Sequence, residues 1–160
     1  MPLFARFMFG LVRFAARKGL AGEPSETSPN ASSKLAARHA GIRGETYAYW
    51  YLRRHGYLLV ARNYVTPGLK GEIDLVGYDG PVLAFVEVKT RTGLERTPLR
   101  PEDAVSADKC RNLSRMAKRF LRERRIESAP CRFDVLAIES RAAHRPDVRL
   151  HKGAFGAEVW

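Results

Sequence analysis

The alternation of apolar and polar residues is clearest in two neighbouring segments, residues 71–76 and 85–89. Both segments are rich in Val, Ile and Leu, and the Asp79-Gly80 pair between them is a strong signal for a hairpin turn. We therefore predict two antiparallel strands. Because successive side chains of a strand point to opposite faces, the residues divide into an apolar core set and a charged set: Ile73, Leu75, Val86 and Val88 against Glu72, Asp74, Glu87 and Lys89.

The register of this hairpin decides how close the acidic side chains come to one another. With Asp79-Gly80 as a two-residue loop, Glu72 faces Glu87, and Asp74 lies on the diagonal to Glu87 at about 7–8 Å. Two carboxylates at that separation can reach one ion. A three-residue loop ending at Pro81 without a bulge would place Asp74 and Glu87 on opposite faces, so we adopt the register that keeps the core apolar.

An acidic pair of this kind predicts a site for a hard divalent cation. Oxygen ligands favour Mg²⁺ or Mn²⁺, and the chain has no Cys and His cluster suited to zinc. We predict Asp74 and Glu87 as metal ligands. The metal could polarise a phosphodiester and activate a bound water, while Lys89 orients that water or stabilises the transition state. The alternative is a solvated sheet face with a Glu-Lys pair.

The remaining pattern predicts further strands and helices that alternate along the chain. We expect a helix over about 35–55, ended by Gly56, and a basic amphipathic helix over about 102–125, for which Ser106 offers a second possible start. Strands are predicted at 57–65, 72–78, 82–91, 131–139 and 147–151. Helices that alternate with strands favour an α/β fold with a mixed sheet.

Gly-Glu-Ile-Asp at 71–74 and Phe-Val-Glu-Val-Lys-Thr-Arg at 85–91 resemble the core of the PD-(D/E)xK nuclease superfamily. More closely, the chain is similar to the YraN-like bacterial proteins, a family catalogued as uncharacterised and predicted to contain nucleases related to Holliday-junction resolvases. The similarity runs from about Arg38 to Phe155, and Ile73-Asp74 replaces the superfamily's Pro-Asp pair. Further matching motifs are Gly44-Glu45, Arg62-Asn63-Tyr64, Glu102-Asp103-Ala104-Val105 with Lys109, Arg132-Phe133-Asp134-Val135 and Gly153-Ala154-Phe155.

This resemblance implies a restriction-endonuclease-like fold, with a mixed central sheet flanked by helices and a Mg²⁺ site at Asp74, Glu87 and Lys89. In resolvase-like relatives an acid from the first helix joins the metal site, which implies a role for Glu45 as an accessory acid. The other interpretation of Glu45 is a surface acid paired with an arginine. The family pattern also implies that Lys109 contacts nucleic acid. Because junction-resolving relatives commonly act as dimers, a homodimer is a further implication.

Charge and composition favour a nucleic acid as the partner. The chain has 160 residues and a formal net charge of +11, and such a field attracts polyanions, although membrane-surface proteins can be equally basic. Cys110 and Cys131 stand at no metal spacing, so we expect reduced thiols and a cytoplasmic location. No apolar run approaches the roughly 20 residues of a membrane span, so no transmembrane segment is predicted.

The resemblance does not cover the first part of the chain. Residues 1–34 are interpreted as a basic amphipathic extension followed by a flexible linker at 22–33, and residues 35–160 as the nuclease domain. Phe4, Phe7 and Leu11 recur at helical spacing among arginines, so an interfacial helix is one possibility. In that case the protein would be a membrane-surface adaptor.

Several basic residues are candidates for phosphate contacts. Arg62 ends the first strand near the acids, and Arg91 stands two residues beyond Lys89 on the same face; both could instead serve a turn or a solvated strand end. Asp134 is interpreted as structural, bonding a neighbouring strand or loop, with a catalytic role as the less favoured alternative. The sequence therefore predicts a Mg²⁺- or Mn²⁺-dependent endonuclease acting on DNA, with branched or junction DNA among the candidate substrates. The alternative is a non-catalytic nucleic-acid-binding protein on a nuclease-like fold.

Overall fold

The computed structural model describes residues 29–92, 106–140 and 145–156 of the chain. The elements in chain order are helix α1 (Pro29–Arg54), strands β1 (Leu58–Tyr64), β2 (Ile73–Asp79) and β3 (Val82–Thr92), helix α2 (Ala107–Arg124), and strands β4 (Cys131–Ser140) and β5 (Asp147–Phe155). The predicted N-terminal extension up to residue 28, the segment 93–101 between β3 and the second predicted helix, and residues 102–105 of that helix lie outside the described residues.

The five strands form one mixed sheet in the order β1-β2-β3-β4-β5. Only β3 and β4 run parallel, and α2 makes the crossover between them, as a parallel strand pair requires. The other neighbouring strands are antiparallel. This is the mixed α/β architecture predicted from the sequence, and it is consistent with a restriction-endonuclease-like fold.

Each face of the sheet is covered by one helix. On one face Tyr47, Ala48 and Leu52 of α1 pack on a cluster that includes Leu75 and Val86. On the other face α2 packs through its apolar stripe, and a T-shaped contact joins the rings of Phe85 and Phe120 at 5.8 Å. The buried residues of the α2 stripe are Leu113, Met116, Ala117, Phe120 and Leu121, as the periodicity predicted.

The predicted division of the hairpin into an apolar face and a charged face is only partly correct. Leu75, Val86 and Val88 do belong to the α1 layer, but Ile73 packs in the α2 layer. The face that carries Asp74 and Glu87 is apolar further along the strands, because α2 covers it. The acids are therefore located at one end of a buried face, and not on a solvated face.

The predicted hairpin register is also wrong, by two residues. The loop is Gly80-Pro81, Asp79 pairs with Val82, and Gly80 takes a left-handed φ of 60°. Pro81 explains the difference, because it has no N–H to donate and fits in a loop, whereas the predicted register would have placed it within a strand. A shift of two residues preserves the alternation, so Asp74 and Glu87 still share a face.

Both helices begin at residues other than the predicted starts. Helix α1 begins at Pro29, so residues 29–33, which we interpreted as the end of a linker, are helical. Proline is well tolerated in the first turn, where its missing N–H costs no hydrogen bond. Helix α2 begins after Ser106, the second start considered; the Ser106 side chain accepts a hydrogen bond from the Lys109 N–H.

Candidate active site

Glu87 lies in the middle of β3, and it is a buried carboxylate with two lysine partners. Its side chain is only 4% exposed. Lys89, two residues further along the same strand, places its Nζ 3.0 Å from Glu87 Oε1. Lys109, in the first turn of α2, donates to the same oxygen. Glu87 Oε2 is buried and has no hydrogen-bond partner among the described residues.

Asp74 lies opposite Glu87, one residue beyond the last regular pair of the β2–β3 ladder, Leu75 with Val86. Its Oδ2 accepts a hydrogen bond of 2.6 Å from the Val88 N–H, so the side chain takes the place of a backbone carbonyl at this point. Directly opposed residues stand closer than the diagonal pair we expected. The structure therefore brings the two predicted metal ligands nearer to each other than the sequence suggested.

The environment makes the ionised form of Asp74 costly. Burial, followed by the nearby charge of Glu87, raises the pKa of Asp74 to about 7. Burial alone would lower the pKa of Lys109, but its hydrogen bond and charge interaction with Glu87 more than offset this, and its pKa lies above the ordinary value. A positive charge beside the acidic pair therefore stabilises the ionised form of both carboxylates.

These residues suit a small divalent ion. Mg²⁺ commonly uses one or two protein carboxylates and keeps several waters, and Asp74 and Glu87 offer oxygen donors only. The buried, unpartnered Glu87 Oε2 is an acceptor that a cation would satisfy. Within the described part of the chain, no group of three or more His, Cys, Asp or Glu side chains is arranged to hold a metal, so the acidic pair is the extent of the carboxylate set.

Glu45, the predicted accessory acid, lies at the periphery of this pair. Its Oε2 accepts a hydrogen bond of 2.9 Å from Asn63 Nδ2, and Arg62 Nη2 is 3.9 Å away. Its charge also contributes to the raised pKa of Asp74, so the acid is close enough to act on the site electrostatically. The arginine pairing that we considered as the alternative for Glu45 is present.

A close approach between α1 and β3 fixes where Glu45 stands. Gly44 faces the side chain of Thr90, and a Cβ at this position would overlap Thr90 Oγ1. The turn of α1 that contains Gly44 can therefore lie directly against the end of β3 only because residue 44 is glycine. Sequence reasoning used Gly44 as part of a family motif and missed this packing role.

The predicted phosphate-binding residues occupy different parts of the site. Arg62 is exposed and donates from Nη2 to Thr46 Oγ1 at 3.1 Å and from Nε to Asn63 Oδ1 at 3.2 Å. Arg91 is exposed at the end of β3, where strand alternation places it on the same face as Glu87 and Lys89. Lys109 is the one that contacts an acid of the pair directly.

Asp134 belongs to a polar network at the opposite end of the hairpin. It is fully buried and accepts hydrogen bonds from Tyr57, from the Arg132 side chain and from the Gly153 N–H. Arg132 also donates to Asp79 at 2.5 Å, and burial with the Asp134 charge raises the pKa of Tyr57. The structural interpretation of Asp134 is confirmed, since it joins β4 to β5 and to the start of β1.

Two contacts in the site were not predicted from the sequence, although Asn63 itself was part of a matching motif. Asn63 orients Glu45, and it does so from a left-handed backbone conformation with φ of 50°. Asn is one of the few residues that adopts this conformation readily, which is the only local signal. Asn112 of α2 donates to the Lys70 carbonyl just before β2, and this contact fixes the start of α2 beside the acidic pair.

Comparison with known proteins finds the same family by a family model and by individual relatives. The model of the Uncharacterised protein family UPF0102 matches residues 44–138. The UPF0102 protein of Koribacter versatilis is 43% identical over 115 residues, which is 72% of this chain and 78% of the relative. The UPF0102 protein of Symbiobacterium thermophilum is 44% identical over 121 residues, which is 76% of this chain and 99% of the relative.

Proposed function

The chain belongs to the uncharacterised protein family UPF0102, and on the basis of its acidic pair we propose that it is a metal-dependent endonuclease that hydrolyses phosphodiester bonds in DNA. The observation that carries the proposal is the pairing of Asp74 and Glu87 on adjacent strands, buried, and next to Lys89 and Lys109. A buried acid with a perturbed pKa beside a lysine, as Asp74 is here, is typical of functional sites.

Asp74 and Glu87 would hold Mg²⁺ or Mn²⁺ through their carboxylate oxygens. Such an ion, when bound, supplies Lewis-acid stabilisation of a phosphoryl oxygen and lowers the pKa of a coordinated water. Glu45, held by Asn63, adds negative charge at the edge of the pair and is suited to accept a proton or to position water.

The lysines would act on the substrate side of the acids. Lys89 is about one-third exposed, so its ammonium group can leave the Glu87 oxygen and donate to a phosphate oxygen or to the attacking water. Lys109 is exposed to a similar degree, so its ammonium group can also leave Glu87 and donate to a phosphate oxygen. Arg91, on the same face, would extend this set of donors towards a neighbouring phosphate.

Support for a second function comes from the same contacts. Both lysines are paired with Glu87, so two side chains of the protein itself compensate its buried charge. A protein that binds nucleic acid without cutting it would need no more than this. The resemblance of the chain to nuclease families favours cleavage, while the compensated pair keeps a non-catalytic binding protein as the alternative.

The test is cleavage of labelled linear duplex, flapped and four-way-junction DNA by the wild-type protein with Mg²⁺, with Mn²⁺ or with EDTA. We expect cutting that requires the metal and falls by at least 10²-fold in Asp74→Asn and in Lys89→Met. Lys152→Met, which removes a lysine paired with Asp79 at the opposite end of β2 from Asp74, is the matched control and should cut normally. Binding of all the DNAs without cutting would favour the alternative. Light scattering of the same samples would test the homodimer implied by the resemblance.

A further inference from the structure

Helix α2 presents a basic ridge on the side opposite its buried stripe. The buried apolar residues of the helix face the sheet, and the basic residues on the outward side recur at spacings of three and four residues, which places them in one row. We define the basic ridge as Arg111, Arg115, Lys118, Arg119 and Arg122. At 1.5 Å per residue the row is about 16 Å long.

Acidic residues neutralise only part of this ridge. Arg111 pairs with Asp108, and Arg119 pairs with Glu123 at 2.9 Å. The side chains of Arg115, Lys118 and Arg122 make no ion pair or hydrogen bond with any other described residue. Three cations in a row without a counter-charge repel one another, so the ridge is complementary to a ligand with regularly spaced negative charges.

The ridge starts beside the acidic pair and leads away from it. Lys109, in the first turn of α2, contacts Glu87, and Asn112 holds the same turn against the Lys70 carbonyl. Arg111 is therefore the ridge residue nearest the candidate active site, and Arg122 is the farthest. A chain of phosphates that entered the site could continue along the ridge.

We propose that the basic ridge binds the sugar-phosphate backbone of duplex DNA next to the cleavage site. The choice of DNA as the polyanion rests on the proposed function. The choice of a duplex rests on the composition of the ridge: it carries no aromatic side chain, and Phe120, the aromatic residue of α2, is buried. Proteins that bind single strands combine basic residues with aromatic platforms on which bases stack.

The ridge should contribute to affinity through counterion release. Each phosphate contact to B-DNA contributes about 0.9 to the slope of log K against log salt concentration, or about eightfold in affinity at 0.1 M salt relative to 1 M. Two lost contacts should reduce the slope by about 1.8 and weaken binding by about 60-fold at 0.1 M salt. Because no base is read, the loss should be equal for duplexes of different sequence.

The experiment measures binding of a fluorescein-labelled 20-base-pair duplex in EDTA at several salt concentrations, with wild type and with the double variant Arg115→Gln/Arg122→Gln. The matched control is Arg54→Gln/Arg145→Gln, which removes two exposed charges outside α2. Glutamine is a good helix former, so the double variant should keep the thermal midpoint of the wild type. A labelled single strand of the same length and anionic phospholipid vesicles are the other probes.

We expect the ridge variant to lose affinity and slope as given above, and the control to change much less. Equal losses in both variants would mean that net charge alone is responsible, which overturns the proposal. Tighter binding to the single strand or to the vesicles than to the duplex would also overturn it. Since the assay contains no metal and measures no cutting, a protein that never cuts DNA can still show the ridge effect, and an active nuclease can still lack it.

Discussion

Replacement of Lys109 by methionine tests how the buried charge of Glu87 is compensated. Methionine keeps much of the length and apolar volume of the lysine stem and removes only the ammonium group. Glu87 is 4% exposed and both lysines contact its Oε1, so the variant leaves a buried carboxylate with one cation in place of two. The free energy of unfolding of the metal-free protein should therefore fall.

The size of the loss follows from the geometry. Leaving a buried charge without its partner costs about 3–5 kcal/mol. Here Lys89 remains 3.0 Å from the same oxygen, and Lys109 is 39% exposed, so water and Lys89 take over part of the interaction. We expect a loss of about 1–2 kcal/mol, since partly exposed pairs are screened.

Urea unfolding in EDTA at pH 8 measures this difference, with Lys118→Met as the control because Lys118 has no ion pair within the described residues. Addition of Mn²⁺ completes the test. An ion at 100 times its dissociation constant stabilises the folded state by about 2.7 kcal/mol. At equal Mn²⁺ concentration it should stabilise Lys109→Met more than wild type, because one of the two lysines that compete with it for Glu87 is gone. A variant as stable as wild type in EDTA, or stabilised less by Mn²⁺, would refute this reasoning.

Three further predictions concern packing and pH. Gly44→Ala should lower the thermal midpoint and weaken cleavage, because its Cβ would overlap Thr90 Oγ1, whereas Gly41→Ala, with no atom within 4 Å, should be neutral or stabilising; equal midpoints would contradict the close approach. Asp79 has a pKa lowered by hydrogen bonds from Lys152 and Arg132, so its contribution to stability is fully present above about pH 4 and decreases as the pH falls below that value. Asp79→Asn should cost about 1–2 kcal/mol in urea unfolding at pH 7 and progressively less below pH 4; a loss that does not shrink as the pH falls would refute the electrostatic cause. Because folding raises the pKa of Asp74 to about 7, the metal-free protein should lose stability as the pH rises from about 4 to 7. Asp74→Asn, which keeps an acceptor for the Val88 N–H, should therefore be more stable than wild type at pH 8. A less stable variant would show that burial does not destabilise the ionised carboxylate of Asp74.

Local patterns in the sequence account for the strands, the faces and the acidic pair. Period two was enough to put Asp74 and Glu87 on one face, and this result survived an error of two residues in the register, because an even shift does not change the alternation. The error arose from treating Asp79 as a loop residue. In the structure Asp79 is the last residue of β2, where Arg132 and Lys152 bind its carboxylate.

Contacts between distant elements could not be derived in this way. Lys109 reaches Glu87 across 22 residues because α2 crosses back over the sheet, and nothing in the helix pattern fixes which end of α2 lies by the acids. The family resemblance alone indicated Lys109. The contacts of Asn63 with Glu45 and of Gly44 with Thr90 likewise depend on how α1 docks on the sheet.

The central claim is that Asp74 and Glu87 form a site for a divalent cation, and a calorimetric titration of Mn²⁺ into the metal-free protein tests it most directly. We predict one site per chain in the wild type, a loss of at least tenfold in affinity in both Asp74→Asn and Glu87→Gln, and unchanged binding in Asp79→Asn, whose acid is bound to Lys152 and Arg132 at the opposite end of β2. Absence of Mn²⁺ binding in the wild type, or equal binding in all three variants, would contradict the account.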